Sequence, residues 1–438
     1  MKKISELRPI PKGDKKTIRA WVMYDWSNSV YQLTIGSTIF PIYYNAVTRQ
    51  GDSFTVNFFG YEAVNTVLYS WSIAVSYLVI ALFSPFFSAI ADYTGRRKTF
   101  MKVFTWIGAV SCGALFFFNK NTVELGLLAF TLATIGYGGS LVFYNSFLPV
   151  IAERADQDRI SARGYSMGYL GGVILLLFNL VFVLFPGAFG ITDDTFAPRL
   201  AFFTVFLWWI GFSQITFRRL PKYTFGKRVK GENPILKGYL ELRSVFNQVR
   251  NMRQLKIYLA GFFFMTMGLL TVMFMAATYG TKELGLNDNV LIPTILLIQL
   301  IGMFGAWLFA RISGRIGNIK ALILSIVIWI LVIVAVYFVH TPAEFIIIAC
   351  FVGVVMGGTQ ALARSTYSKM LPETRDHTSF FSFYDVMEKI ATVGGTFSFG
   401  IIEALTGSMR YSVLAITAFF IVGLAFMLLL LRKQKQTA

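Results

Sequence analysis

The chain has 438 residues, 55% of them hydrophobic, 16% aromatic and only 14% charged, with a formal net charge of +18. A soluble domain carries charge at about a quarter of its positions, so this composition excludes one and points to a protein embedded in a lipid bilayer. Nor is a nucleic-acid partner expected, because the aromatic residues lie inside the apolar runs instead of beside basic clusters on a soluble face.

A helix needs about 20 apolar residues to cross a hydrocarbon core about 30 Å thick. Twelve runs of that order follow one another, roughly at 19–46, 64–90, 99–118, 123–149, 162–186, 197–217, 255–281, 289–312, 320–339, 343–370, 378–404 and 410–431. The first follows a basic tail but contains Asp25 and Asn28 and lacks a small-residue cleavage site, so it is expected to stay as a membrane helix and not to be removed as a signal peptide. Lys and Arg crowd the two tails and every second loop, while the intervening loops hold only Arg49, Lys120, Arg199, Lys282 and Arg410. Positive charge stays on the cytoplasmic side. The sequence therefore predicts a multi-pass protein of the inner (cytoplasmic) membrane with both termini cytoplasmic, and the basicity is topological.

One long connection separates six runs from six. The expected division is an N-terminal six-helix bundle at 1–217, a basic cytoplasmic linker at 218–254 and a C-terminal six-helix bundle at 255–438. Within the linker, Asn233 and Pro234 suit the cap and first turn of a helix. Ile235, Tyr239, Leu242, Phe246 and Val249 then recur at helical spacing with Lys237, Arg243 and Arg250 between them, which predicts an amphipathic helix on the membrane surface; a partner-binding helix is the alternative. The halves also echo each other. Leu148-Pro149 and Gly171-Gly172 recur as Leu371-Pro372 and Gly394-Gly395 at one constant offset, and "SAIADYTGRRK" at 88–98 aligns with "ARISGRIGNIK" at 310–320. Parallel repeats of this kind place a substrate site between the halves, near the midplane.

The loop after the second run resembles the signature of the major facilitator superfamily through Asp92, Gly95, Arg96 and Arg97, with Ser88 and Tyr93 departing from its pattern. Physically, Gly95 permits a tight turn and the arginines hold it on the cytoplasmic side, so the loop is either a gate or simply a positive loop. "YDWSNSVYQLTI", "YNSFLPVIA", "GGTQALARSTYSKMLP" and "FFSFYDVMEK" add a more specific likeness over nearly the whole chain. Together they resemble the bacterial unknown major facilitator family, which is similar to the fungal vacuolar amino-acid effluxers linked to autophagy. That resemblance implies an all-α membrane protein with twelve transmembrane helices in two pseudo-repeated bundles, a secondary transporter and not an enzyme, with amino-acid export known among relatives.

Candidate site residues are polar groups where lipid would be expected. Asp385, Glu388 and Lys389 fall in mid-span of the eleventh run, beside Tyr384, and each such charge costs roughly 2.5 to 3.5 kcal/mol at a bilayer centre. Asp385 and Lys389 share a helix face and can neutralise one another, which leaves a carboxylate to exchange protons or a lysine to hold a substrate carboxylate. Asp25 and Asn28 share a face of the first run, where Asp25 is either a capping residue near the inner surface or a cavity acid, and Tyr24 and Trp26 suit an interfacial belt. In the tenth run Gln360 and Arg364 face together, Arg364 snorkelling to the surface or binding; Asn145 in the fourth suits a helix-to-helix hydrogen bond. Gly164, Gly168 and Gly172 form a small-residue face on the fifth run, as do Gly302 and Ala306 on the eighth. In the superfamily these two helices meet, which suggests a sliding contact, against static packing as the alternative.

Cys112 and Cys350 each lie in an apolar run, and His340 and His377 stand far apart, so neither a disulfide framework nor a metal site is predicted, and no cofactor. The function expected is secondary active transport of a small polar or zwitterionic solute, such as an amino acid or short peptide, by a proton-coupled monomer. Export of amphipathic or drug-like compounds is the alternative, since the abundant aromatics allow a large apolar cavity.

Overall fold

The computed structural model describes residues 11–49, 55–222 and 233–437. Helix α1 (Lys15–Val30) begins at Asp14, whose carboxylate accepts from the Thr17 hydroxyl at 2.6 Å and the Thr17 N–H at 2.8 Å. Those two bonds hold the Asp14 carboxyl below its usual range. The first apolar run is not one continuous helix: it widens into a π-helical stretch at Tyr31–Gly36 and restarts as α2 (Ile39–Thr48). A short antiparallel hairpin follows, β1 (Thr55–Phe58) with β2 (Tyr61–Val64), turned by Phe59 and Gly60, both at positive φ. No strand was expected here, since segments this short do not register as spans.

The remaining helices are α3 (Asn65–Thr94), α4 (Arg97–Ala114), α5 (Val123–Asn145), the short α6 (Leu148–Ile151), α7 (Gln157–Leu184), α8 (Phe196–Arg219), α9 (Pro234–Asn251), α10 (Arg253–Leu284), α11 (Asp288–Ile316), α12 (Asn318–Tyr337), α13 (Pro342–Met370), α14 (His377–Thr406) and α15 (Met409–Thr437). Among the described residues, ten helices are long and apolar enough to cross a membrane. The two runs that fall outside that measure are the first, which the π-helical stretch divides, and α14, which carries its charges in mid-helix.

Two separate sets of helices bury their apolar faces. In α1 to α8, one core surrounds Phe40, Phe130 and Trp209 and another surrounds Trp21, Tyr144 and Phe217. In α10 to α15, a single core surrounds Tyr258, Trp329, Tyr367 and Phe420. The N-terminal and C-terminal sets meet where α7 packs on α11 and α13, and where α3 and α5 pack on α14. Gly95 closes α3 at φ 68 and Gly317 closes α11 at φ 85, so the two aligned loops turn on glycines in the same half of backbone space. Both loops lie at the end of the molecule that also holds residues 11–14 and the end of α15, here called the terminal end; Gly13 N–H donates to Ile151 O there.

Helix α9 starts at Pro234 as its sequence predicts, but its packed face is displaced from the expected one. Gly238, Val245 and Val249 are buried, and Gly238 sits so close to Ile90 of α3 that a Cβ would lie 2.7 Å from its side chain. Tyr239 and Phe246, assigned to the same apolar face, are instead exposed, together with Leu236 and Leu240. The helix thus has one apolar stripe on protein and a second turned outward.

Candidate functional site

A long-range polar contact joins α1 to α13. Arg364, only 2% exposed, donates from Nη1 and Nη2 to Asp25 Oδ2, each at 3.1 Å. Its Nε donates to Ser161 Oγ at 2.9 Å, its Nη2 to Ser161 O at 2.8 Å and its Nη1 to Asn145 Oδ1 at 3.4 Å. The Tyr144 hydroxyl donates to the same Asp25 oxygen at 2.7 Å. The guanidinium carbon also stands 4.2 Å over the Tyr165 ring and 4.9 Å over Trp21. A buried ion pair needs such added partners, because desolvation otherwise offsets its Coulomb gain. Neither a capping role for Asp25 nor a snorkelling one for Arg364 fits: both side chains turn inward and bind across the seam. Tyr24 takes no part in an interfacial belt, being fully buried on Thr105, and Trp26, half-buried, stacks on Trp208.

The α14 charges form the second cluster. Lys389 Nζ lies 2.7 Å from Glu388 Oε1 and 3.3 Å from Asp385 Oδ1, so one ammonium serves two carboxylates. Asp385 Oδ2 is buried without a hydrogen-bond partner. The cluster faces the N-terminal set: a Cβ on Gly138 of α5 would lie 3.6 Å from Lys389 Cε, and Nζ stands 5.8 Å over the Tyr77 ring of α3. Glu388 keeps 29% side-chain exposure, against 8% for each of its partners.

The other predicted residues fall into place around these. Gln360 accepts from the Tyr169 hydroxyl at 2.5 Å across the seam. Asn28 is buried, with its Nδ2 unpartnered. Tyr384 stacks on Phe262, ring centroids 4.2 Å apart, and so belongs mainly to the C-terminal core. The fifth and eighth runs do meet, as α7 packs on α11, but not through the glycine stripe of α7: Gly164, Gly168 and Gly172 face α1, where added Cβ atoms would meet Asp25, Ser29 and Leu33. What α7 presents to α11 and α13 is Ala162, which packs with Ala306 and Ala361, and Ser166, which donates to Met303 O. Gly302 accommodates Tyr169 and Met356.

At the terminal end the seam is fastened twice. Asp92 accepts from Ser379 N–H at 2.7 Å, Ser379 Oγ at 2.8 Å and Arg97 Nε at 2.7 Å, and Arg97 Nη2 donates to Arg375 O. The loop after α3 therefore grips the start of α14, while Arg96 is exposed. At the second fastening, Asp158 at the start of α7 binds three groups of the C-terminal set, Lys369 Nζ at 2.6 Å, Asn318 Nδ2 at 2.7 Å and Ser313 Oγ at 3.0 Å. Sequence reading missed Asp158, Ser161, Asn318 and Lys369. One signal pointed at them: the segment aligned with the Asp92 loop, 310–320, contains Ser313 and Asn318.

Paired helix sets with a polar seam between them define a major facilitator fold. The solved fucose transporter FucP in its outward conformation matches it with a TM-score of 0.68, covering 95% of this chain and 99% of that one at 12% identity. The proton:xylose symporter XylE matches with a TM-score of 0.70 over 94% of each chain at 13% identity. In sequence, the chain is 28% identical over 414 residues to the uncharacterized MFS-type transporter YxiO of Bacillus subtilis, covering 94% of each. It is 23% identical over 470 residues to Autophagy-related protein 22 of Yarrowia lipolytica, covering 87% of this chain and 78% of that one. The family described as Vacuole effluxer Atg22 like matches residues 13–438, and the chain belongs to it. It is a multi-pass membrane protein and a secondary transporter, not an enzyme.

Proposed function

We propose that the protein moves a small polar or zwitterionic solute, an amino acid or short peptide, by alternating access coupled to protons, with twelve crossings and both termini cytoplasmic. The observation that carries this is the placement of charges of both signs on the seam between the helix sets: Asp25 with Arg364, and Asp385 and Glu388 with Lys389. Groups this costly in lipid are kept where a water-filled space opens to them in turn. The two sets act as rocking bundles joined by the linker carrying α9, and the arrangement described is closed at the terminal end. Glu388, the most exposed of its cluster, exchanges the proton; Lys389, then paired with Asp385 alone, receives the solute carboxylate. Amino-acid export among the relatives that the sequence resembles favours the same substrate class.

The test is accumulation in proteoliposomes under an imposed pH gradient, using a solute first found by thermal shift of the purified chain against amino acids, peptides and sugars. Glu388→Gln is expected to abolish gradient-driven accumulation while leaving solute exchange intact. Gradient-driven accumulation retained by both Glu388→Gln and Asp385→Asn would overturn the proton role.

A further inference from the structure

A cavity of ≈ 680 Å3 opens at the terminal end, on the opposite side of the seam from the Asp92 loop. Among the described residues four cations line it, Arg154, Arg253, Lys320 and Lys369, and no Asp or Glu does. Lys369 is matched from behind by Asp158 at 2.6 Å, and Arg154 donates to the Lys369 carbonyl. Arg253 and Lys320 are exposed and have neither hydrogen-bond nor ion-pair partner among the described residues. Two long helices also begin in its wall, α10 at Arg253 and α12 at Asn318, and neither has a capping side chain or an acid in its first turn. Their unpaired N–H groups add positive potential to that of the cations. Like charges gathered in a concave wall focus the field, and a volume of this size suits a small ligand.

We propose that this cavity binds a phosphate-bearing anion, held by Arg253, Lys320 and the first turns of α10 and α12. A phosphate group brings about two negative charges and three acceptor oxygens, and so answers two free cations and two helix starts where a single carboxylate does not. Arg154 comes from the N-terminal set and lines the same cavity, so an occupant held by Arg253 and Lys320 that also meets Arg154 bridges the seam and holds the terminal end shut. That consequence rests on the alternating-access reading above, whereas binding itself does not. The phosphate has two possible sources, a soluble ester or a lipid headgroup at the membrane surface.

The purified full-length chain is to be melted in detergent with increasing inorganic pyrophosphate, and separately in nanodiscs of phosphatidylcholine with increasing fractions of phosphatidic acid, whose headgroup is a phosphomonoester. A saturable rise in melting temperature, not reproduced by sodium chloride of equal ionic strength, is expected in at least one arm; pyrophosphate alone marks a soluble ligand, phosphatidic acid alone a headgroup. Arg253→Gln and Lys320→Gln are each expected to weaken the half-saturating concentration about tenfold without lowering the ligand-free melt. No saturable rise in either arm, or a rise that both substitutions leave unchanged, overturns the site. In the same samples, maleimide labelling of a Ser146→Cys reporter at the seam is expected to slow as ligand saturates. Saturable binding with unchanged labelling overturns the bridging role and leaves the site standing.

Discussion

Gly164→Ala tests the pairing of Asp25 with Arg364 without altering either charged residue. A Cβ at this position would lie 2.3 Å from Asp25 Oδ2 and 2.8 Å from Arg364 Nη2, distances that real Cβ atoms essentially never show. Retreat of α7 from α1 is blocked on its other face, where Ala162 packs on Ala306 and Ala361 and Ser166 donates to Met303 O. The ion pair must therefore part. Removing one side of a buried pair costs about 3 to 5 kcal/mol, and the lower figure applies here because Arg364 retains Ser161 and the Tyr165 ring. Alanine's helix-propensity gain of about 1 kcal/mol acts on α7 in every transport state and cancels from their ratio. The state closed at the terminal end should thus lose roughly 100-fold in relative population. The assay is labelling by a membrane-impermeant maleimide of Ser146→Cys, a position that is fully buried and bonded to Thr378 across the seam, in a chain with Cys112 and Cys350 replaced by alanine. Gly168→Ala is the control, since its Cβ meets the Ser29 hydroxyl at 2.4 Å, and that group can rotate away. If Gly164→Ala folds and labels no faster than its parent, or if Gly168→Ala labels equally fast, the bridge does not hold the end closed.

Three further outcomes are expected. Asp25→Asn and Arg364→Gln should each cost about 3 to 5 kcal/mol in the melt, and the double variant much less than their sum; additive losses would show that the two residues act apart. Asp92→Asn, which weakens a hydrogen-bonded charge, should lower the melt by about 1.5 to 3 kcal/mol, and Ser379→Ala, which removes one hydroxyl donor, by about 1 kcal/mol; the reverse order would contradict the grip on α14. Thr341→Ala removes a capping box formed with Glu344 at the start of α13, so hydrogen exchange should quicken in that first turn at a cost of about 1 kcal/mol, with solute transport unchanged.

Much of the architecture is legible because lipid imposes a strong rule: length, apolarity and the side preference of Lys and Arg together locate most helices. Asn233 and Pro234 mark the start of α9, and the aligned Gly95 and Gly317 mark two equivalent turns. What stays hidden is pairing at long range. Asp25 and Arg364 each stand out as polar residues in a span, but nothing in either local pattern says that they meet. Asp158 and Lys369 sit at helix ends beside basic loops whose charge is already accounted for by topology, so their contact across the seam leaves no separate trace. The glycines of α7 announce close packing without naming the neighbour; a Cβ-free face fits α1 as well as α11. The π-helical stretch at Tyr31–Gly36 contains no proline and has no compositional mark, so the first run reads as a single helix. Tyr239 and Phe246 recur at helical spacing with Val249, yet α9 buries the stripe through Gly238, whose missing side chain lets Ile90 approach.

Alternating access itself is tested most directly by two distances measured in one protein under the same conditions. Spin labels at Thr99 and Glu373 report the terminal end, and labels at Lys120 and Leu405 report the opposite end; all four positions are exposed. With the parent chain in lipid, double electron–electron resonance should give a short terminal-end distance and a long opposite one, and Arg364→Gln should lengthen the first while shortening the second. Distances that stay fixed at both ends, or that lengthen together, would contradict a transporter whose seam opens to one side at a time.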